Sequence, residues 1–325
     1  MWSSTLSLFL IGVHSMMAAQ APVLELNDGN KIPVVALGTG RGTAAGAAID
    51  EVRHAVYQAI KAGYRHIDTA AIYQDEPQVG QGIADAIAEG LVKREDLFVT
   101  TKLWSDKHAQ DEVVPALRES LGRLGLDYVD LYLIHFPIAL KADGSASDID
   151  YVETWRGMEE AKKQGLAKSI GVSNFNSAQI DRLISNSQIK PAVNQIEVNP
   201  SLTQEPLVSH CQELGIAVMA YSPFGFLVTR KVNTSPPPRI DDPSLVAMGK
   251  KYGKSTGQIV LRYLIDRGLI IIPKSANEQR IAENIDLFDF SLTKEEIATI
   301  GQFNKNIRVI EPIRWKDYPN YPFEK

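Results

Sequence analysis

From Pro22 onward the chain alternates between two hydrophobic periods. Short apolar runs rich in β-branched residues give way to longer stretches in which apolar residues recur every three or four positions. These are the signatures of a buried strand and of an amphipathic helix. The strand-like runs are "IPVVALG" (32–38), "YRHIDTA" (64–70), "LFVTTKL" (97–103) and "VDLYLIHF" (129–136), then "AKSIGVSN" (167–174), "AVNQIEV" (192–198), "AVMAYSPF" (217–224) and "LIIIPKS" (269–275). Helical stretches between them include 50–62, 111–125 and 152–165, several of which close on Gly after a basic last turn, as helix C-termini do. Eight strand–helix units without a compositional break predict an α/β fold, a single (β/α)8 TIM barrel over residues 21–325. A doubly wound dinucleotide fold is disfavoured, because "GTGRGTAAG" (38–46) has G-x-G spacing but no third glycine where that fold needs one. The turn-forming "NDGN" ahead of the first strand predicts a β-hairpin plugging the barrel floor. An extra helix and an irregular tail rich in Pro, Tyr and Arg end the chain.

Composition narrows the partners. At 325 residues, 44% hydrophobic and 22% charged, the chain can bury a large core. A net charge of −5 with no long run of either sign points to neither nucleic acid nor a membrane surface. A small-molecule substrate and a monomer are expected. Cys211 is the single cysteine, which excludes a disulfide framework and a multi-cysteine metal site and reads as a small buried hydrophobe. Residues 1–20 stand apart. "STLSLFLIGV" has the length of a signal-peptide core, without a preceding Lys or Arg, and is too short to span a bilayer. Two readings stay open: a cleaved secretory signal, or a dispensable extension before a cytoplasmic protein.

In a barrel of this kind, chemistry sits at the carboxyl ends of the strands. Taken in order, those ends carry Asp68 with Tyr73 just beyond, Lys102, His135, Ser173 with Asn174, Gln195, Tyr221 with Ser222, and Lys274 with Ser275. Each alone has a bland explanation as a cap, a satisfied core histidine or a snorkelling lysine. Seven consecutive polar strand ends on one rim make a site the better explanation. No metal-ligand spacing is visible, and no G-x-S-x-G elbow. A phenol titrates near 10. An ammonium beside it is expected to pull that value down, with an Asp holding the ammonium and a His orienting a carbonyl oxygen. Such a set suits protonation of a carbonyl oxygen while another group supplies hydride.

The segments "GYRHIDTAAIYQDEPQVG", "TTKLW", "DYVDLYLIHFP", "IGVSNF", "NQIEVNP", "AYSPFG" and "IPKSANEQRIAEN" together resemble the aldo-keto reductase superfamily, in family order, over roughly 22–325. The resemblance implies NADPH-dependent carbonyl reduction with Tyr73 as general acid, Lys102 and Asp68 tuning it, and His135 orienting the carbonyl. It implies NADPH extended across the rim. Thr39, Gly40 and Asp68 would contact it, Ser173, Asn174 and Gln195 would hold its carboxamide, and Tyr221 would stack on its nicotinamide. Ser222 and Phe224 would cover its pyrophosphate, Lys274, Ser275, Asn277 and Arg280 would clamp its 2′-phosphate, and Glu283 and Asn284 would meet its adenine. Two cations and a hydroxyl beside a helix N-terminus independently make a phosphate site. The substrate would lie against Tyr73, Trp104, His135 and Phe136, with no metal. Gly40 and Phe136 stand where many members carry Trp, so a widened pocket is expected, open to a steroid-like ketone. The loop "FGFLVTRKVNTSPPPRID" (224–241) and the tail "IRVIEPIRWKDYPNYPFEK" (307–325) match the family's variable C-terminal specificity loops, and the pattern resembles insect 3-dehydroecdysone reductases. Alternatives are a broad-specificity aldehyde reductase and a non-catalytic NADPH-binding member such as a channel subunit or lens crystallin. All four residues of the catalytic set are present, which favours an enzyme.

Overall fold

The structure is a computed structural model that describes residues 21–40, 50–228 and 238–323. The N-terminal segment 1–20, most of the Gly-rich stretch after Gly40, and residues 229–237 of the loop after the seventh barrel strand lie outside the described residues. A hairpin comes first, β1 (Val23–Glu25) antiparallel to β2 (Lys31–Pro33), with Val23 opposite Pro33. Then follow β3 (Leu37–Gly38), α1 (Glu51–Lys61), β4 (His66–Asp68), α2 (Glu76–Ala88), β5 (Phe98–Leu103), α3 (Gln110–Leu124), β6 (Val129–Ile134) and α4 (Tyr151–Lys163). The second half runs β7 (Ala167–Ser173), α5 (Ser177–Ser185), β8 (Val193–Glu197), α6 (Glu205–Glu213) and β9 (Ala217–Tyr221). It ends with α7 (Pro243–Tyr252), α8 (Thr256–Asp266), β10 (Ile270–Ile271), α9 (Glu278–Ile285) and α10 (Lys294–Gly301).

Strands β3 to β10 pair in parallel, each with the next in sequence. Residues of β5 and β6 are buried throughout, as parallel strands covered on both faces must be. The sheet closes on itself: Val35 bridges Ile271, Ala36 N donates to Ile271 O at 2.9 Å, and Ile271 N donates to Val34 O at 2.9 Å. Gly38 N adds a bond to Pro273 O at 3.0 Å, and a Cβ on Gly38 would lie 2.9 Å from the Ile272 side chain. Closure therefore needs glycine there. The expected (β/α)8 barrel is present.

Two apolar layers hold it. One lies between helices and sheet and includes Val56, Ile67, Leu117, Trp155 and Ile259. The other fills the barrel interior, where Ile32 and Leu26 of the hairpin meet Phe98, Leu133, Val193 and Met219. The hairpin is thus the floor that the turn signal predicts, tied down by Asn27 Nδ2 donating to Pro191 O (2.8 Å) and Asn30 Nδ2 to Ser169 Oγ (3.0 Å). One boundary differs from expectation. The run 32–38 is not one strand: Ile32 and Pro33 belong to the hairpin, while Leu37 and Gly38 join the barrel. Ile32, Val35, Ala36 and Leu37 are all buried, so an unbroken apolar run hides the change of sheet. No helix among the described residues is long and apolar enough to cross a membrane.

Candidate active site

The parallel barrel carries Asp68, Lys102, His135, Ser173, Gln195 and Tyr221 at or just past the ends of successive strands. Tyr73 arrives differently. A single 3-10 turn, Ala71–Tyr73, follows β4 and is ended by Gln74 in a left-handed conformation (φ 57°), which folds the phenol back over the rim.

Asp68 is the hub. Its Oδ1 accepts from Lys102 Nζ at 2.7 Å and its Oδ2 from Gln195 Nε2 at 2.7 Å, so the carboxylate is gripped from β5 and β8. Lys102 Nζ also donates to Thr69 O at 2.8 Å and stands 5.1 Å from the centroid of the Tyr73 ring. Both Lys102 and Asp68 are buried. A buried ion pair is tolerable only when its remaining donors and acceptors are satisfied, and here they are. His135 meets the Tyr73 ring edge-on at 5.7 Å.

Electrostatics set the protonation states. Burial would lower the Lys102 ammonium, but Asp68 and Tyr73 beside it more than offset this, and the net direction is upward. Burial and the Lys102 charge both drive His135 well below its ordinary value, so it is neutral imidazole. The Tyr73 ring is partly exposed, yet its hydroxyl lies deep, and burial pushes it up while Lys102 pulls it down. Burial wins. This differs from the sequence-based expectation of a lowered phenol, because desolvation of a phenolate outweighs one neighbouring ammonium that Asp68 already half-neutralises. At neutral pH Tyr73 carries its proton.

A second network stands beside the first. Ser173 Oγ donates to Gln195 O (2.8 Å), Asn174 Nδ2 to His135 O (2.9 Å), and Tyr221 OH to Asn174 Oδ1 (2.8 Å). Asn174 (φ 62°) and Ser222 (φ 46°) hold left-handed backbone conformations, strain of the kind that collects at ligand clamps. A cavity of about 550 Å³ is lined by Gly40, Asp68, Tyr73, His135, Phe136, Ser173, Asn174, Gln195, Tyr221, Ser222, Phe224 and Lys274. From Lys274 a narrow cleft continues past Ser275 to Thr39, whose buried Oγ1 has no hydrogen-bond partner. Asn277 caps α9, its side chain accepting from Arg280 N at 2.9 Å, while Ser275 Oγ accepts from Asn277 N at 3.1 Å. Lys274, Asn277 and Arg280 lie exposed there, with Glu283 half-buried and Asn284 buried one turn on.

The structure thus brings the expected rim residues together, and adds some. Trp104 does not line the cavity; it packs edge-on behind His135 at 5.2 Å. Phe136 stacks on His135 and meets Trp315 of the tail edge-on at 5.4 Å. Val228, Ile272 and Ile310 complete the lining. Sequence reasoning marked the tail as a specificity element but singled out neither Trp315 nor Ile310, because no strand or helix period marks them. A lone Trp in an otherwise polar tail was the available signal. Gly40 does not leave open space. A Cβ there would lie 2.8 Å from Tyr73 Cζ, so the glycine lets the catalytic-candidate ring pack against the backbone. Cys211 is buried on α6, and burial pushes its thiol up to about 11. Among the described residues no cluster of His, Cys, Asp or Glu could hold a metal ion.

Many enzymes share a closed parallel barrel; this one belongs to the aldo/keto reductases, since the Aldo/keto reductase family model matches residues 34–305. The chain is 73% identical over 307 residues to aldo-keto reductase AKR2E4 of Bombyx mori, covering 94% of this chain and 100% of that protein. It is 43% identical to aldo-keto reductase family 1 member D1 of Mus musculus, covering 92% and 96% of the two. The crystal structure of Bombyx mori AKR2E4 in complex with NADP superposes with a TM-score of 0.93, over 94% of this chain and 100% of that one. That of AKR2E5 complexed with NADPH gives 0.92 at 47% identity, over 94% of each chain.

Proposed function

We propose that the protein reduces an aldehyde or ketone to the alcohol with NADPH, and that Tyr73 donates the proton. The observation that carries this is the Asp68–Lys102–Tyr73 chain, with neutral His135 edge-on to the phenol, at the wall of a cavity large enough for a nicotinamide and a substrate. The residues fit the cofactor. The unpartnered Thr39 hydroxyl, the strained Asn174 and Ser222, and Lys274 line the cavity and the cleft that leaves it, and Asn277 and Arg280 stand exposed at the α9 N-terminus just beyond. NADPH, when bound, supplies a hydride to the carbonyl carbon.

The chain's own residues do the rest. Tyr73 gives its hydroxyl proton to the carbonyl oxygen as that oxygen becomes an alkoxide. Lys102, charged and fixed by Asp68, stabilises the phenolate left behind and lowers the cost of its formation. His135, neutral, can hydrogen-bond the same oxygen without competing as an acid. Asn174 and Gln195, locked by Tyr221 and Asp68, would hold the carboxamide of the cofactor.

Within this class the reading favours a bulky apolar ketone such as 3-dehydroecdysone. Its support is the apolar side of the cavity, Phe136, Phe224, Val228, Ile272 and Ile310, which rewards each buried ring at ~25 cal/mol per Å². A broad aldehyde reductase is the second reading, favoured by the Trp315 indole, which packs into the flank of Phe136. NADPH oxidation against a panel of aldehydes, quinones and steroid ketones separates them. Tyr73→Phe tests the proton donor: turnover should fall by roughly two or more orders of magnitude, the scale of general acid catalysis, while NADPH affinity holds. Near-normal reduction by that variant would end the assignment.

A further inference from the structure

Part of the cavity wall comes from chain that has no regular structure of its own. Ile310 lines it together with Tyr73, Phe136 and Phe224, yet it lies in the irregular tail beyond α10. Such a segment needs an anchor if it is to present one wall reproducibly. The anchor is Glu197, the last residue of β8, whose side chain is 1% exposed. Its Oε1 accepts from Val309 N at 2.7 Å and from Asn199 Nδ2 at 3.0 Å; its Oε2 accepts from Ile310 N at 2.9 Å. Both carboxylate oxygens are thus spent on two consecutive amides of the tail.

That use of a carboxylate is costly. Burial pushes Glu197 above its ordinary range even though the two amides and Asn199 pull it down, and a neutral acceptor would avoid the penalty. A few residues earlier the tail manages with one: Lys305 N and Ile307 N both donate to Ser201 O, at 3.1 and 3.3 Å. The stretch that reaches the cavity is held instead by a charge-assisted pair, about twice as strong as a neutral one. Position matters as well. Gln195 lies two residues before Glu197 on the same strand and grips Asp68, so β8 ties the tail and the catalytic hub to one rigid element.

We infer that Glu197 is a positioning residue for substrate specificity, latching the tail at Val309 and Ile310 so that Ile310 forms the wall against which a bulky substrate packs. The identity of that substrate rests on the function proposed above; the latch itself does not.

Glu197→Gln tests it in the full chain. An amide has one acceptor oxygen, so at least one latch contact is lost at nearly constant volume. Hydrogen exchange at the Val309 and Ile310 amides should speed up by about 10-fold or more. The KM for a ring ketone should rise by about 10-fold, with kcat for a small aromatic aldehyde and the Kd for NADPH within about twofold. A purely structural role would instead lower kcat for both substrates together. Unchanged exchange overturns the latch, and faster exchange with an unchanged ketone KM overturns the role in specificity. Should the Gln variant fail to fold, Val309→Pro removes one donor without touching the buried carboxylate, and must speed exchange at the Ile310 amide and raise the ketone KM in the same way; the absence of either is equally fatal. Wild-type protein that reduces no carbonyl overturns the proposed function, and exchange alone then decides the latch.

Discussion

Tyr73 owes its place to two neighbours that a sequence pattern treats very differently. Lys102 could be foreseen, since a lysine ending an apolar run in a barrel faces the rim. Gly40 could be noticed as a departure from the family pattern, but its effect could not be read. An indole replaced by hydrogen looks like added volume; in the structure the Tyr73 ring occupies that volume, 2.8 Å from where a Cβ would be. Replacing Gly40 by Trp would therefore displace the phenol as well as narrow the pocket, and cannot test pocket width alone. Gly40→Ala is the sharper change. One methyl must push the ring by a few tenths of an ångström or more. Since an ångström of misplacement near the chemistry can cost about 10²-fold, kcat for every carbonyl substrate should fall by roughly 10-fold or more, while NADPH affinity is kept. Steady-state kinetics with cofactor fluorescence titration would show it. An unchanged kcat would mean that the ring yields without leaving its working position.

At the scale of elements, the β10–α9 junction shows what local pattern reading captures. The run ending in Lys274 and Ser275, followed by Asn277 and Glu278, reads as strand, cap and helix, and α9 begins at Glu278 with Asn277 as its cap. The Asn277 side-chain oxygen is committed to Arg280 N, so the residue aims the helix N-terminus and keeps its amide nitrogen for the proposed 2′-phosphate clamp beside Lys274 and Arg280. Arg280→Ala should weaken NADPH by about 2 kcal/mol, near 30-fold, if it makes one charge-assisted contact, and leave NADH nearly unchanged. Calorimetric titration with both cofactors decides this, and equal losses would move the phosphate site elsewhere. Other elements were illegible for a physical reason. The run 32–38 is buried at its apolar positions whether it belongs to the hairpin or the barrel. Only the closing bonds to Ile271 and Pro273 reveal the change, and those are contacts between residues more than 200 apart in sequence. The tail residues Ile310 and Trp315 were hidden likewise, since their environment is supplied by β8 and by Phe136 rather than by their neighbours in the chain.

For the whole molecule, the repeat of strand and helix was enough to foresee closure and a polar rim, and the NDGN turn the floor hairpin, because each follows from period, order and turn chemistry alone. How deeply the closed barrel buries particular polar groups was not foreseeable, and that burial governs stability in acid. Three imidazoles are buried, two of them deep in the fold and His135 at the cavity wall. His66 is held between Pro33 O (3.1 Å) and Thr100 Oγ1 (3.0 Å) and is driven down to about 4 by burial. His108 is driven down to about 3 by burial, with neither ring nitrogen hydrogen-bonded, and His135 falls well below its ordinary value. The sign follows from linkage. An unfolded chain binds protons at these sites near pH 6.5, whereas the folded protein refuses them until far lower, so between those limits each proton stabilises the unfolded state. Stability should be full above about pH 6.5 and decline steadily as pH falls toward 4, by about 1.4 kcal/mol per unit for each imidazole. By pH 5 His66 and His108 alone would remove about 4 kcal/mol, close to the 5–15 kcal/mol that typically holds a domain together. Urea unfolding at pH 7 and pH 5 reads the loss directly. His66→Gln, which can keep a hydrogen bond to Thr100 but cannot titrate, should shrink the difference between the two pH values by about 2 kcal/mol. A stability that stays level from pH 7 to pH 5, or a His66→Gln variant with an undiminished pH dependence, would show that the barrel admits protons to these rings and that their burial is not what limits the fold in acid.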